Sequence, residues 1–250
     1  MEISIAAEKL FSLGSLPVTN ALLIGVLVSA LIIFVVTRVT KSRTLVPRGL
    51  QNVVEIVFEA LLDLVESVTQ DKKQARQFCP RIATIFLFVL LSNWAGLLPG
   101  LGTVGVYGEH NGHHTIIPFL RSTSADLNFT LALSLIAVFT VQFAGIAALG
   151  IVKYGKKFFI SPFHKPYGIG TAVGILELVS EIGKIISFTF RLFGNVFAGE
   201  VLLTVMLHLV PYFLPLPFMF LEVFVGFIQA VVFAMLTLVF LKMATLESEH

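Results

Sequence analysis

The sequence predicts an all-α integral membrane protein with five membrane-embedded helices and one amphipathic surface helix, in which the last two spans form a long, strongly tilted hairpin. Hydrophobic residues make up 56% of the 250 residues and charged residues only 13%, and the mean hydropathy is +0.93. A soluble fold of this length needs more charge to cover its surface. These values exclude a soluble enzyme, a disordered chain and a nucleic-acid binder with a basic face.

We interpret residues 1–250 as one membrane domain, whose spans are apolar stretches of about 20 residues. The first span is predicted over 18–38. Residues 46–70 place apolar side chains at helical spacing and acidic ones mostly on the other side, which predicts an amphipathic helix along the membrane surface. The second span is expected over 81–99 and the third over 126–152.

Residues 168–246 are expected to form the helical hairpin. The apolar stretches 170–210 and 212–243 each run well past 30 residues. At 1.5 Å per residue each is on the order of 50 Å long, against a hydrocarbon core of ~30 Å. Strong tilt or bending must absorb the excess, and the short turn at 211–217 makes the two helices antiparallel.

The basic residues predict the orientation of the chain. Eight of them lie between the first and second spans and four between the third span and the hairpin, whereas the opposite side holds only Lys9 and Arg121. Cytoplasmic loops carry the excess of lysine and arginine. We therefore expect a multi-pass protein of a bacterial plasma (inner) membrane, with its N-terminus outside and its C-terminus and amphipathic helix on the cytoplasmic side.

The first long helix carries charges where a span should have none, since each costs at least ~2.5–3.5 kcal/mol at the bilayer centre. Positions 177, 181, 184, 188, 191 and 195 follow a 4-3-4-3-4 spacing, which places Glu177, Glu181, Lys184, Arg191 and Asn195 on one stripe of the helix. The arginine lies near mid-depth, and the two acids lie toward the cytoplasm.

A second pair of acids lies on the other side of Arg191. Glu200 is about 13 Å farther along the axis and roughly opposite around it, so no direct ion pair with the arginine is expected. The returning helix brings Glu222 to the depth of Glu200 and Gln229 to the depth of the arginine. Carboxylates in partly wet clefts exchange protons or bind cations, and a guanidinium is effectively never deprotonated. The pattern predicts two half-channels separated by a fixed positive charge.

The same side chains also have plainer interpretations, which the residues alone leave open. The two inner acids and Lys184 match a charge cluster at a helix end. Arg191 is able to reach a lipid headgroup by snorkelling. The two outer acids would pack as buried protonated groups, and Gln229 would bridge two helices by hydrogen bonding.

Residues 191–200, RLFGNVFAGE, resemble the signature of subunit a of the rotary F-type ATP synthase of bacteria. The segments ELVSEIGKIISFTF, IQAVVFAMLTLVFLKMA and STSADLNFTLAL are also similar to that family, and the likeness covers most of the chain. It implies that Arg191 faces the rotating ring of c subunits, with Asn195 and Gln229 close by. The residues that it implies for the outer half-channel are Glu200, Glu222, Asp126 and Asn128. Those that it implies for the cytoplasmic half-channel are Glu177, Ser180 and Glu181.

The resemblance also implies the setting of the chain. The partners would be the c-subunit ring, the b-type peripheral stalk subunits, the whole ATP synthase complex and membrane lipids, with no nucleic acid and neither cofactor nor metal. The chain has no GxxxxGK[ST] phosphate loop, so it is expected to be an ion-translocating stator subunit without catalysis of its own, passing protons or sodium. The alternative is a stand-alone proton channel or secondary transporter, which co-purification with a proteolipid ring would exclude.

Overall fold

The protein is predominantly α-helical. The computed structural model describes residues 9–13, 16–41, 44–98, 105–110, 113–118, 121–156, 169–210, 213 and 215–246. The helices are α1 (Asn20–Lys41), α2 (Leu50–Thr69), α3 (Lys72–Ala95), α4 (Leu127–Leu149), α5 (Ile151–Lys156), α6 (Ile169–Leu209) and α7 (Pro215–Thr245). Two antiparallel hairpins join β1 (Lys9–Leu13) to β2 (Leu16–Thr19) and β3 (Gly105–His110) to β4 (His113–Pro118).

Five helices are long and apolar enough to cross a membrane, which confirms the predicted fold class. They are α1, α3, α4, α7 and residues 174–209 of α6. The final hairpin is as long as its sequence implied, because α6 runs for 41 residues and α7 for 31. At 1.5 Å per residue α6 is about 60 Å long, twice the thickness of the ~30 Å hydrocarbon core.

The helix that contains most of the predicted second span, 81–99, begins before it. α3 starts at Lys72, where the Asp71 side chain accepts a hydrogen bond from the Lys73 backbone N–H at 2.8 Å and caps the helix. Pro80 lies inside the helix. The polar first turns continue as helix because Ala75 and Phe78 are buried against α2 in the hydrophobic core.

The core lies where α3 and α7 meet. Val89, Leu192, Phe233 and Leu238 are almost fully buried there, and the aromatic ring of Phe188 on α6 lies 4.8 Å from that of Phe233. By contrast, α1 leaves most of its apolar side chains exposed, as expected of a helix that faces lipid or a partner.

Two groups of polar contacts fix α7 along its length. Near its start, the Asn93 side-chain amide donates to the Gly226 carbonyl at 3.2 Å and the Trp94 indole N–H donates to the Val223 carbonyl at 3.0 Å. Near its end, the Lys242 ammonium donates to the Val68 carbonyl of α2 at 2.7 Å. The first group anchors to α3 the part of α7 that carries Glu222.

Candidate functional site

Arg191 lies near the middle of α6 and is half-buried. Its Nη2 donates to the Ser187 hydroxyl, one turn earlier, at 3.0 Å. No carboxylate of the described part of the chain lies within ion-pair distance of this guanidinium. A positive charge that is partly desolvated and lacks an acidic partner among the described residues is well placed to meet a carboxylate from elsewhere.

A groove of about 370 Å³ runs along α6 away from Arg191. Its lining residues are Ser180, Gly183, Lys184, Ser187, Phe188, Arg191, Leu236 and Phe240. Ser180 and Arg191 are eleven residues apart, which is about 16 Å along a helix. The groove therefore joins Ser180 to the arginine along one stripe of the helix.

The acids near this groove are not equivalent. Glu181 and Lys184 form an ion pair at 2.7 Å with both side chains largely buried, as the charge-cluster interpretation expects. The Lys184 ammonium also lies 4.8 Å from the centre of the Phe240 ring, within range of a cation–π contact. Glu177, one turn earlier, is half-buried.

The pKa of Tyr154 is affected by burial and by the negative charge of this region. Burial raises the pKa of the Tyr154 phenol to about 12, and the charges of Glu181 and Glu177 act in the same direction. The phenol donates a hydrogen bond to the Gln142 side-chain carbonyl of α4. A protonated tyrosine thus stands between α4 and the acidic part of α6.

Asn195 and Gln229 meet beside Arg191, as the hairpin geometry predicted for their depth. The Asn195 amide donates to the Gln229 side-chain carbonyl at 2.6 Å. Gln229 is 3% exposed, and within the described chain its Nε2 has no hydrogen-bond partner. This bond joins α6 to α7 one turn beyond the arginine, on the side away from Ser180.

Glu200 pairs with Arg121, a contact that the sequence analysis missed. Arg121 Nε lies 3.0 Å from Oε1 and 3.2 Å from Oε2 of the carboxylate, and Nη2 lies 3.1 Å from Oε2. The Arg121 side chain is 9% exposed and that of Glu200 33%. Since the two residues are 79 positions apart and helical periodicity relates only near neighbours, the sequence gives no signal for this pair.

Glu222 packs against Gly199. A Cβ atom on Gly199 would overlap the Glu222 carboxylate, so the absence of a side chain there makes room for the acid. Glu222 is half-buried and makes no hydrogen bond or ion pair with the rest of the described chain. The predicted nearness of Glu222 to the Glu200 turn of α6 is therefore present, although the two acids have different partners.

Asp126 and Asn128 lie at the start of α4. The Asp126 carboxylate accepts from the Asn128 backbone N–H at 3.0 Å and caps the helix, and it is 8% exposed, whereas the Asn128 side chain is exposed. Just before them a 3₁₀ turn, Thr123–Ala125, contacts α6, α1, α4 and α3. Several buried oxygens in this part of the chain lack a partner among the described residues: those of Ser122, Thr123 and Ser124, and those of Ser92 and Asn93 in α3.

Buried oxygens of this kind generally bind water. The Ser-Thr-Ser run before the third span figures in the sequence analysis only as part of a segment that resembles the family, and no buried polar cluster is predicted there. Within the described ranges, no three His, Cys, Asp or Glu residues come close enough together to hold a metal ion.

Comparisons with known proteins agree on one family. The family model described as ATP synthase A chain matches residues 20–242. A protein named ATP synthase subunit a from Campylobacter jejuni subsp. jejuni serotype O:23/36 (strain 81-176) is 35% identical over 228 residues, which cover 89% of this chain and 88% of the relative. The protein of the same name from Campylobacter hominis is 36% identical over 225 residues, covering 90% and 88%.

Proposed function

Because the chain belongs to the ATP synthase A chain family, we propose that it is the stator subunit that passes ions to and from the carboxylates of a rotating c-subunit ring. Membership places it in the membrane sector of an ATP synthase, as a multi-pass subunit of that complex. The proposal adds two offset half-channels, one on each side of Arg191, and contacts with the c-ring and the b-type peripheral stalk.

The single observation that carries the proposal is the setting of Arg191. The guanidinium closes one end of the Ser180 groove, and the Asn195–Gln229 hydrogen bond stands immediately beyond it. A cation that follows the groove therefore meets a fixed positive charge before it reaches the Glu200 side. Such a charge blocks direct passage, and it stabilises an ionised carboxylate that a ring subunit brings beside it.

The ion path then has two parts. An ion enters from outside through the half-channel that Glu200 and Glu222 line, and it neutralises a ring carboxylate. In its neutral form that carboxylate is able to face lipid, since burying the ionised form is costly. After nearly a full turn of the ring it meets the groove between Arg191 and Ser180 and releases the ion toward the cytoplasm. The driving energy is ~2.3 kcal/mol for each charge per 100 mV.

The orientation follows from the same proposal. The groove lies in the half of α6 that carries Glu177 and Lys184, and the basic loops of the sequence predict that this half is cytoplasmic. The N-terminus is then outside a bacterial inner membrane and the C-terminus inside. A stand-alone channel would need no ring, so co-purification of a small oligomeric proteolipid separates the two functions.

The experiment is ATP-driven proton uptake in inverted membrane vesicles, with wild type compared to Arg191→Ala and Arg191→Lys. Passive leak and the amount of assembled complex are measured in the same vesicles. We expect Arg191→Ala to lose pumping while the complex persists. Substantial pumping by Arg191→Ala would make the arginine structural and would remove the basis of the two half-channels.

A further inference from the structure

We propose that Arg121 and Glu200 form a permanent ion pair and that, of the two outer acids Glu200 and Glu222, only Glu222 exchanges the transported ion. This inference rests on the proposed function, and it assigns different roles to two acids for which the sequence predicts the same one. Arg121 is then a positioning residue, which acts on the outer half-channel through Glu200.

The geometry of the pair argues for a fixed charge on Glu200. Both carboxylate oxygens accept N–H groups of Arg121 at 3.0–3.2 Å, an arrangement that requires the ionised form. The guanidinium keeps its proton and its side chain is only 9% exposed, so protonating Glu200 would leave a nearly buried positive charge without this counter-ion. A group locked in one charge state cannot load and unload an ion.

The environment of Glu222 differs from that of Glu200. It is half-buried and has neither a hydrogen bond nor an ion pair within the described chain, and its carboxylate lies against the Gly199 backbone. Because Gly199 directly precedes Glu200 in α6, the free acid stands beside the fixed pair. An acid without such a partner breaks no hydrogen bond or ion pair when it gains or loses an ion.

The described helices supply few other charges here. α4 has no ionisable side chain, and α3 faces α7 here with the neutral Asn93 and Trp94, whose polar groups bond to the α7 backbone. Asp126 caps α4 through the Asn128 N–H. The charge of Glu200 is balanced by Arg121, which leaves Glu222 as the outer carboxylate with no such partner in the described part of the chain.

A double-mutant cycle tests the division of roles in the whole complex. We expect Arg121→Gln and Glu200→Gln each to lower ATP-driven proton pumping at least about tenfold, because each leaves one charge of the pair uncompensated. The combination Arg121→Gln with Glu200→Gln removes both charges and should recover most of the loss. Glu222→Gln should also abolish pumping, and adding Arg121→Gln to it should recover nothing. A double variant that pumps no better than Glu200→Gln overturns the proposal.

A second pair of variants covers the case in which the neutral substitutions prevent assembly. Glu200→Asp and Glu222→Asp keep the charge and change only the length and intrinsic acidity of the side chain. The pH profile of pumping should stay that of wild type in Glu200→Asp and shift in Glu222→Asp. A shifted profile in Glu200→Asp, or an unshifted one in Glu222→Asp, overturns the proposal.

Arg191→Ala, run beside these variants, separates this inference from the function that it rests on. If Arg191→Ala abolishes pumping and the Arg121–Glu200 cycle shows no recovery, only the assignment of the outer acids fails. If Arg191→Ala pumps, the half-channels themselves fail, whatever the cycle shows.

Discussion

Replacing Gly199 by alanine displaces the carboxylate of Glu222 without changing the Glu222 side chain itself. Gly199 is buried in α6, and a Cβ atom at this position would occupy space now held by the Glu222 carboxylate. The obstacle is the far end of a flexible side chain, so the chain relieves the overlap by moving the carboxylate rather than a helix. That shift exceeds 1 Å, because non-bonded carbon and oxygen atoms do not approach closer than normal contact distance.

The substitution Gly199→Ala should change the stability of the protein little and the pumping rate strongly. Forcing a side chain off its rotamer costs about 0.5–1.5 kcal/mol. Replacing glycine by alanine within a helix stabilises the helix by about 1 kcal/mol. The net change in stability is therefore within about 1 kcal/mol. A misplacement of about 1 Å in a reacting group, by contrast, costs as much as about a hundredfold in rate.

The assay is the initial rate of ATP-driven proton uptake per assembled complex, with the thermal unfolding midpoint of the purified complex measured alongside. Gly155→Ala is the matched control, since nothing lies within 4 Å of a Cβ atom there. We expect Gly199→Ala to keep its midpoint and to lose between tenfold and a hundredfold in pumping. Gly199→Ala that pumps as fast as Gly155→Ala would refute the claim that the place of Glu222 against α6 matters.

Three further predictions follow from single contacts. Tyr154, with its pKa raised from 10.0 to about 12, holds more protons when folded than when unfolded. The stability of the wild type should therefore fall between pH 10 and pH 12, whereas that of Tyr154→Phe should fall less, as measured by thermal unfolding of the complex. Asn195→Ala leaves the Gln229 carbonyl without its partner and should lower the unfolding free energy by about 1 kcal/mol, as measured in detergent, while Gln229→Leu alongside it should restore part of the loss. Lys242→Met removes the ammonium bond to the Val68 carbonyl and should speed proteolysis or hydrogen exchange in α2 relative to α3; equal rates in the variant and the wild type would show that the bond does not hold α2.

The spans and the Arg191 region were predictable because they depend on near neighbours in sequence. Apolar length identifies α1, α4, α6 and α7 directly. The antiparallel hairpin also fixes which residues share a depth, so counting residues on either side of one turn places Gln229 near the depth of Arg191, where it bonds to Asn195. A helix rises by a constant amount per residue, and this regularity carries the prediction across 34 positions.

The polar turns of α3 that precede the predicted span were not predicted as helix, because this segment carries two opposing signals. Pro80 and the basic residues Lys72, Lys73 and Arg76 before it indicate a loop in sequence. In the folded chain, Ala75 and Phe78 are buried against α2, and Asp71 caps the first turn. Packing on a neighbouring helix therefore decides the structure of a segment whose own propensities do not.

The partner of Glu200 was unpredictable for a different reason. Arg121 precedes a 3₁₀ turn that folds back on α6, and no periodicity connects that turn to residue 200. The charge pattern along the chain predicts a functional role for Glu200. Only the tertiary structure shows that its charge is already balanced. The two hairpins β1–β2 and β3–β4 were likewise not predicted from the sequence.

Sided access to two introduced cysteines tests the central claim most directly. The chain has one cysteine, the fully buried Cys79, so Cys79→Ser gives a background free of thiols. Ser187→Cys, in the groove, and Glu222→Cys, on the other side of Arg191, are then treated with a small membrane-impermeant thiol reagent in inverted and right-side-out vesicles. Two half-channels separated by the arginine predict that Ser187→Cys reacts only in inverted vesicles and Glu222→Cys only in right-side-out ones. Reaction of both cysteines from the same face would contradict the account.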